Sequence, residues 1–121
     1  MSYDIYCEID TGGEKPFAIG DYNINYTSNV AEMYYLAIPK KRYIPVLKEE
    51  RGGLWSLEGM QCAQAIPIIK EAIVYFVKNR TELEKLNPSN GWGNYKGALK
   101  MLENILEMCI DHPKATLRID A

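Results

Sequence analysis

The sequence has very little of what most catalytic and metal sites require. It contains one histidine, His112, and three cysteines without a CxxC pair. It also lacks the GxxxxGK[ST] phosphate loop, the GxGxxG dinucleotide turn, the HExxH zinc motif and the GxSxG nucleophile turn. A single histidine excludes most catalytic triads and most zinc sites. We therefore predict no catalytic residue, no resident metal and no cofactor.

Long apolar runs and a basic leader are absent as well. No window reaches the roughly 18 consecutive apolar residues of a membrane-spanning helix, and the first residues, MSYDIYCEID, do not resemble a signal peptide. Cys7, Cys62 and Cys109 are odd in number, and each lies in an apolar run where a free thiol behaves as a small hydrophobic group. These features predict a cytoplasmic protein with reduced, buried cysteines and no membrane partner.

A strong excess of charge is also missing. The 14 Lys and Arg face 16 Asp and Glu, and this net charge of -2 disfavours nucleic-acid binding by a uniformly basic surface. The most basic stretch is residues 39–53, and its basic residues are Lys40, Lys41, Arg42, Lys48 and Arg51. Because this stretch has no sustained hydrophobic period, we interpret it as a basic surface excursion with solvated charges rather than as a phosphate-binding patch.

What the sequence does contain is a clear strand pattern at both ends. Apolar and polar residues alternate across residues 3–9, as expected for a strand with one buried face. Alternation returns in a second arm at residues 17–26, where Gly20-Asp21 predicts a β-bulge. Residues 115–119 alternate in the same way. The sequence therefore predicts an N-terminal β-hairpin and a C-terminal strand whose direction is left open.

Helical periodicity fills the region between these strands. The predicted helices run from residues 27–29 to Pro39, from Gln61 to Asn79, from Thr81 to Asn87 and from Tyr95 to His112. Pro67 either kinks or divides the second helix, and a capping box at Thr81–Glu84 predicts the start of the third. Together these elements predict a single α+β domain over residues 1–121. The hairpin and the last strand form one small sheet covered by three to four helices.

Two segments, residues 20–29 and 87–95, interleave aromatic rings with amides and hydroxyls. Rings stack on flat or apolar ligand faces, while Asn and Ser both donate and accept hydrogen bonds. Each segment also precedes a predicted helix, whose free N–H groups favour an anion. The same residue types suit caps and turns, so ligand binding requires the fold to bring the segments together. The predicted ligand-binding residues are Asn25, Tyr26, Asn29, Asn90, Trp92, Asn94 and Tyr95.

Four stretches of the chain resemble a family of small uncharacterised proteins encoded by tailed phages and prophages. They are MSYDIYCEID, NYTSNVAEM, LEGMQCAQAIPIIKEAI and LNPSNGWGNYKGALKMLENILEMCIDHPKATLRI. The most specific piece is NPSNGWGNY at residues 87–95, and the resemblance does not extend over residues 40–53. It implies an accessory protein of a phage, acting in the cytoplasm of the infected cell. It carries no catalytic residues that can be transferred.

The sequence thus favours a non-catalytic phage-type accessory protein that binds a host protein or a small nucleotide-like ligand, with counter-defence as one such role. One alternative is a small hydrolase or nuclease that uses carboxylates and a divalent metal ion, which requires several Asp or Glu residues to meet in the fold. Another is a structural homodimer, with Tyr34, Tyr35, Tyr43 and Trp55 at its interface.

Overall fold

Residues 2–120 form two small antiparallel sheets and four α-helices. The computed structural model describes residues 2–120, apart from the side chains of residues 20–23. The elements are β1 (Ser2–Ile9), β2 (Phe17–Thr27), α1 (Ala31–Ala37), β3 (Arg42–Ile44), β4 (Glu49–Arg51), α2 (Cys62–Lys78), α3 (Arg80–Glu84), α4 (Tyr95–Asp111) and β5 (Thr116–Asp120). Short 3-10 turns cover Ser28–Val30 and Gly53–Leu57. The predicted α+β class is confirmed.

The main sheet has the order β2-β1-β5, so the first strand lies in the centre. Both neighbours run antiparallel to β1, which settles the direction of the last strand. The alternation of β1 places Tyr3, Ile5 and Cys7 on the buried face. Because β5 pairs back onto β1, the two ends of the described chain lie side by side.

The register between β1 and β2 shifts at the position where the sequence predicts a bulge. Ile5 lies opposite Ile24, but Cys7 lies opposite Ile19, so one residue of β1 spans residues 20–23 of β2. The bulge prediction rested on Gly20 and Asp21, and the side chains of residues 20–23 lie outside the described residues. Beyond the shift the pairing is regular again from Ile24 to Thr27, and this last part of β2 leads directly into the first helical turn.

The helix boundaries follow the sequence in most places. The first helical segment begins with the 3-10 turn after Thr27, whose hydroxyl accepts from Asn29 N at 3.2 Å. α2 is unbroken through Pro67, whose exposed ring lies in the second turn, so the proline does not divide the helix. Among the described helices, none has the length and apolar character needed to cross a membrane.

The predicted start of the third helix at a Thr81 cap is wrong. α3 begins one residue earlier, and Thr81 lies inside it. The reason is that Asn79 serves both helices. Its N–H donates to Tyr75 O at the end of α2, and its carbonyl accepts from Leu83 N in α3. No space is left between the two helices for a separate capping residue.

The core between the sheet and the helices contains a row of aromatic rings. The Tyr34 ring lies 5.8 Å from that of Phe76, and Phe76 lies 5.6 Å from Tyr95. Tyr34 is fully buried and its hydroxyl donates to Ala98 O at 2.8 Å. This position removes Tyr34 from the predicted dimer interface, because its ring and its hydroxyl are both used inside the fold.

The three cysteines come together in the same core. Cys7 of β1, Cys62 of α2 and Cys109 of α4 are fully buried free thiols, as the sequence predicts. Interaction with the thiols of Cys109 and Cys7 lowers the pKa of the Cys62 thiol. Burial raises the pKa of the Cys7 thiol to about 11, so this thiol is neutral at pH 7 and acts as a packing group.

The basic segment 39–53 is not an irregular loop. It forms the β3–β4 hairpin, whose Ile44 is fully buried. The Arg42 guanidinium donates to the carbonyls of Ser56 and Glu58, the latter at 3.2 Å. Sequence periodicity missed this hairpin because each strand has only three residues. The hydrogen bonds of Arg42 hold the hairpin against residues 56–58, where a longer hairpin would use more apolar contacts.

Candidate ligand-binding site

The loop between α3 and α4 is shaped by its own asparagines and glycines. Asn87 Oδ1 accepts from Tyr95 N at 2.8 Å, and Asn90 Oδ1 accepts from Trp92 N at 2.9 Å. Gly91 and Gly93 have φ values of 76° and 95°, a backbone region that other residues rarely adopt. These constraints hold the loop in one shape and direct the Trp92 side chain outward, where 70% of the residue is exposed.

This loop packs against the end of β2, so the two predicted segments meet. A Cβ atom on Gly93 would lie 2.5 Å from Thr27 Cγ2, which means that only glycine permits so close an approach. Asn29 Nδ2 donates to Trp92 O at 3.4 Å. The two segments therefore form one surface. The sequence-based prediction of ligand binding depends on this contact between them.

A surface hollow of about 620 Å³ opens at this junction, and we call it the Trp92 hollow. Its lining residues are Ser2, Asn25, Tyr26, Thr27, Asn29, Asn90, Trp92 and Gly93. Five of them are predicted ligand-binding residues. Asn25 is held by hydrogen bonds from its Nδ2 to Asp4 Oδ1 at 2.6 Å and to Tyr3 O at 3.1 Å. The hollow thus combines two aromatic side chains with several amides, and its volume is typical of small-molecule sites.

The remaining two predicted residues have structural roles beside this hollow. Asn94 caps α4, since its Oδ1 accepts from Gly97 N at 2.9 Å. Tyr95 is only 5% exposed, and its hydroxyl donates to Phe76 O at 2.7 Å. The Arg80 guanidinium lies 5.4 Å from the centre of the Tyr95 ring. Tyr95 therefore packs in the core and does not offer an open face for a ligand to stack on.

Three N–H groups at the N-terminus of α4 are not free, although the sequence suggested free donors there. Asn94 N donates to Tyr26 Oη at 3.0 Å, and Tyr95 N donates to the side chain of Asn87. Gly97 N is satisfied by the Asn94 cap. These three donors therefore already have partners within the protein, and the side chains of the region are the main source of attraction for an anion.

A second hollow of about 890 Å³ lies on the other side of Tyr26, and we call it the lysine hollow. It is lined by Tyr26, Val77, Arg80, Asn94, Tyr95, Lys96, Gly97, Leu99, Lys100 and Glu103. Three of these residues are cationic and one is a carboxylate. Both Asn94 and Tyr95 contribute to its wall, so all the predicted site residues line one hollow or the other.

Tyr26 separates the two hollows and is held against α4 by Gly97. A Cβ atom at position 97 would lie 2.0 Å from Tyr26 Oη and 2.4 Å from Tyr26 Cζ. Glycine inside a helix costs about 0.5–1 kcal/mol relative to alanine. At this position the absence of a side chain makes room for the Tyr26 phenol, and Tyr26 lies between the two hollows.

The charges of the lysine hollow are incompletely compensated. Arg80 Nε forms an ion pair with Glu84 at 2.8 Å. Within residues 2–120, neither Lys96 nor Lys100 forms an ion pair with a described carboxylate, although Glu103 lines the same hollow. A chain of net charge -2 therefore presents a locally cationic surface here.

The carboxylates expected for metal-dependent hydrolysis do not meet in the described part of the chain. Among residues 2–120 there is no group of three or more His, Cys, Asp or Glu side chains that could hold a metal ion. Glu82 pairs with Lys85 at 3.2 Å and Glu84 pairs with Arg80. Asp10 Oδ1 accepts from Gly12 N in a turn. These acids therefore serve local structure in this fold.

Comparisons with known proteins return no match: neither the protein-family models, nor the curated proteins, nor the solved structures contain a similar one. The case for a function therefore rests on the geometry of the two hollows.

Sequence reasoning identified the Trp92 hollow but missed the cations beside it. Lys96 and Lys100 are spaced i,i+4 directly after the Asn94 cap, which places them on one face of α4. That spacing was the available signal. No local pattern indicates Arg80, because it reaches the same hollow from α3 through tertiary packing.

Proposed function

We propose that this protein is a non-catalytic binding protein for a small nucleotide-like ligand, whose flat ring stacks on Trp92. The observation that carries the proposal is the position of Trp92. It is 70% exposed, its loop is held by side-chain hydrogen bonds, and it lines one hollow with Tyr26 and three asparagines. An exposed indole on a hydrogen-bonded loop, beside amide groups, can stack on a flat ring while the amides bind its polar edge.

The exposure of Trp92 argues for binding because folding does not require it. Of the two tryptophans, Trp55 packs partly against the core, while Trp92 extends into solvent. Exposed aromatic residues are enriched where proteins contact partners. The polar groups nearby belong to Asn25, Asn29 and Asn90, which provide both donors and acceptors within the same hollow.

The wider role is part of the same proposal. The resemblance to phage-encoded proteins implies an accessory protein in the cytoplasm of an infected cell. There, a binding protein without chemistry of its own acts by sequestering a ligand or by presenting it to a host component. This context motivates the choice of nucleotides, cyclic dinucleotides and ADP-ribose derivatives as the first ligands to test.

A thermal-shift panel of those ligands tests the proposal. Ligand at about 100 times its Kd stabilises the folded state by roughly 2.7 kcal/mol and raises the melting midpoint by several degrees. Binding is confirmed by quenching of Trp92 fluorescence in a Trp55→Phe background, where Trp92 is the remaining tryptophan. Trp92→Ala is the matched variant and should lose much of the shift. A flat response from every ligand, or an undiminished shift in Trp92→Ala, contradicts the proposal.

A further inference from the structure

We propose that the ligand is a nucleoside phosphate whose base stacks on Trp92 while its phosphates lie in the lysine hollow, beside Lys96, Lys100 and Arg80. This inference rests on the proposed function and adds the chemical class and orientation of the ligand. It follows from a third hollow that adjoins both of the others, from the charges in the second hollow and from the position of Tyr26.

A third hollow adjoins both of the others. A smaller hollow of about 170 Å³ shares Asn25 and Tyr26 with the Trp92 hollow. It shares Tyr26, Gly97 and Lys100 with the lysine hollow. A ligand longer than a single ring can therefore extend from Trp92 past the Tyr26 phenol to the lysines without leaving the protein surface.

The two ends of this surface differ in chemistry. The Trp92 end presents an indole and amides but no basic side chain among its described lining residues. The other end presents Lys96, Lys100 and Arg80, with Glu103 in the same lining and Glu84 paired with Arg80. One ring end and one cationic end match a molecule that joins a base to a polyanion. A neutral sugar or a nucleoside would leave the cationic end unused.

The lysines are positioned for a shared anion. They are spaced i,i+4 on α4, so their ammonium groups repel each other on one helix face, and neither has a described carboxylate partner. Phosphate oxygens accept charge-assisted hydrogen bonds from both lysines at once and remove that repulsion. The Arg80 guanidinium lies 5.4 Å from the centre of the Tyr95 ring and is paired with Glu84, so the two lysines carry the uncompensated charge of this hollow.

Isothermal titration calorimetry of adenosine, AMP, ADP and ATP, with inorganic pyrophosphate as the probe without a base, tests the orientation. The variants are Lys96→Gln/Lys100→Gln in the lysine hollow and Trp92→Ala at the other end. The matched control is Lys40→Gln/Lys41→Gln, which removes the same charge from the exposed segment before the β3–β4 hairpin. All these side chains are exposed, and circular dichroism checks that each variant is folded.

We expect the affinity to rise by about tenfold or more from adenosine to ADP and ATP, because charged hydrogen bonds are added. Lys96→Gln/Lys100→Gln should remove this gain and leave adenosine binding unchanged, whereas the control should keep the gain. Guanosine and uridine phosphates, titrated in parallel, show whether the base matters.

Two results separate the inference from the proposed function. If nucleoside and nucleotides bind equally, or if the gain survives Lys96→Gln/Lys100→Gln, the phosphate position is overturned while ring binding at Trp92 stands. If pyrophosphate binds as tightly as ATP and Trp92→Ala changes nothing, ring binding is overturned, and with it the orientation proposed here.

Discussion

Two regions of this protein concentrate basic residues, and the fold uses them in different ways. In the β3–β4 hairpin, Arg42 donates to two backbone carbonyls and Arg51 donates to Tyr35 Oη at 2.9 Å. In the lysine hollow, Lys96 and Lys100 have no described acidic partner. The hairpin has the higher density of charge along the sequence, but its arginines hold the structure together. The lysine hollow has fewer charged residues per length of sequence, but Lys96 and Lys100 both line the same hollow.

This difference shows that a basic site depends on convergence in space and on unused hydrogen-bonding capacity. A guanidinium that already satisfies backbone carbonyls has less capacity left for a ligand, and moving it would leave those carbonyls without partners. A lysine that faces a hollow beside another lysine gains more from an added anion. The following predictions test whether the two regions differ in this way.

The largest effect is expected at Arg42. Arg42→Met removes the guanidinium from the carbonyls of Ser56 and Glu58, two residues that are themselves buried. The free energy of unfolding should fall by about 3 kcal/mol, since each hydrogen bond to a charged group contributes about 1.5–3 kcal/mol. Urea denaturation measures this change, and nucleotide affinity of the folded fraction should stay the same.

Arg51→Met is the control within the same hairpin. It loses the ion pair with Glu49 at 3.0 Å, a kind of exposed pair that contributes less than about 1 kcal/mol, and one hydrogen bond to Tyr35 Oη, whereas Arg42→Met loses two hydrogen bonds to carbonyls of buried residues. We therefore expect a smaller loss of stability than for Arg42→Met. If Arg42→Met were as mild as Arg51→Met, or if it weakened nucleotide binding instead of stability, the hairpin would not be the structural region described above.

The next largest effect is expected at Gly97. In an ordinary helix interior, Gly→Ala stabilises by about 0.5–1 kcal/mol. Here the new Cβ would lie 2.0 Å from Tyr26 Oη, so Gly97→Ala should destabilise by about 1–2 kcal/mol, as overpacking does. Displacement of Tyr26 should also weaken ligand binding. A stabilised Gly97→Ala variant with full affinity would show that Tyr26 does not form the divider.

The sign of the Gly97 effect could not be predicted from the sequence, and the reason is general to this chain. Local patterns predicted what depends on neighbours along the chain, such as the alternation of β1 and the apolar stripe of α4. They also placed the start of the first helical segment at residues 27–29, and Thr27 is the residue that caps it. The contact of Tyr26 with Gly97 joins residues that are far apart in sequence, and no local signal specifies it.

The candidate site shows the same division. Asparagine, glycine and tryptophan in residues 87–95 indicated the Trp92 loop before its geometry was known. The side-by-side position of Tyr34 and Phe76, which places Tyr34 in the core, follows from tertiary packing. The same is true of Arg80, which joins the lysine hollow from another helix. Composition indicated which residue types gather at the hollows, while topology decided which rings and cations line them.

A smaller effect on stability is expected at Trp92. Because the residue is 70% exposed, Trp92→Ala should change the free energy of unfolding by less than about 0.5 kcal/mol. Its effect on ligand affinity should be larger, since stacking of one base contributes about 1–3 kcal/mol. Thermal unfolding with and without nucleotide separates the two quantities. A large loss of stability without ligand would mean that Trp92 supports the loop rather than a ligand.

The smallest effect is expected for the exposed lysines before the hairpin. Lys40→Gln/Lys41→Gln should change the free energy of unfolding by less than about 0.5 kcal/mol and leave nucleotide affinity unaltered, because both side chains are solvated. The same assays as for Lys96→Gln/Lys100→Gln apply. A loss of affinity in this pair equal to that in the lysine hollow would remove the distinction between the two regions.

The central claim is that one surface, from Trp92 past Tyr26 to the lysines of α4, binds a nucleoside phosphate. The most direct measurement is a two-dimensional NMR titration of the ¹⁵N-labelled protein with ATP. We expect shifts at the Trp92 indole N–H, at Gly93 and at the amides of Lys96 and Lys100, with the β3–β4 hairpin unchanged. Shifts confined to the hairpin, or an unchanged spectrum at millimolar ATP, would contradict the account.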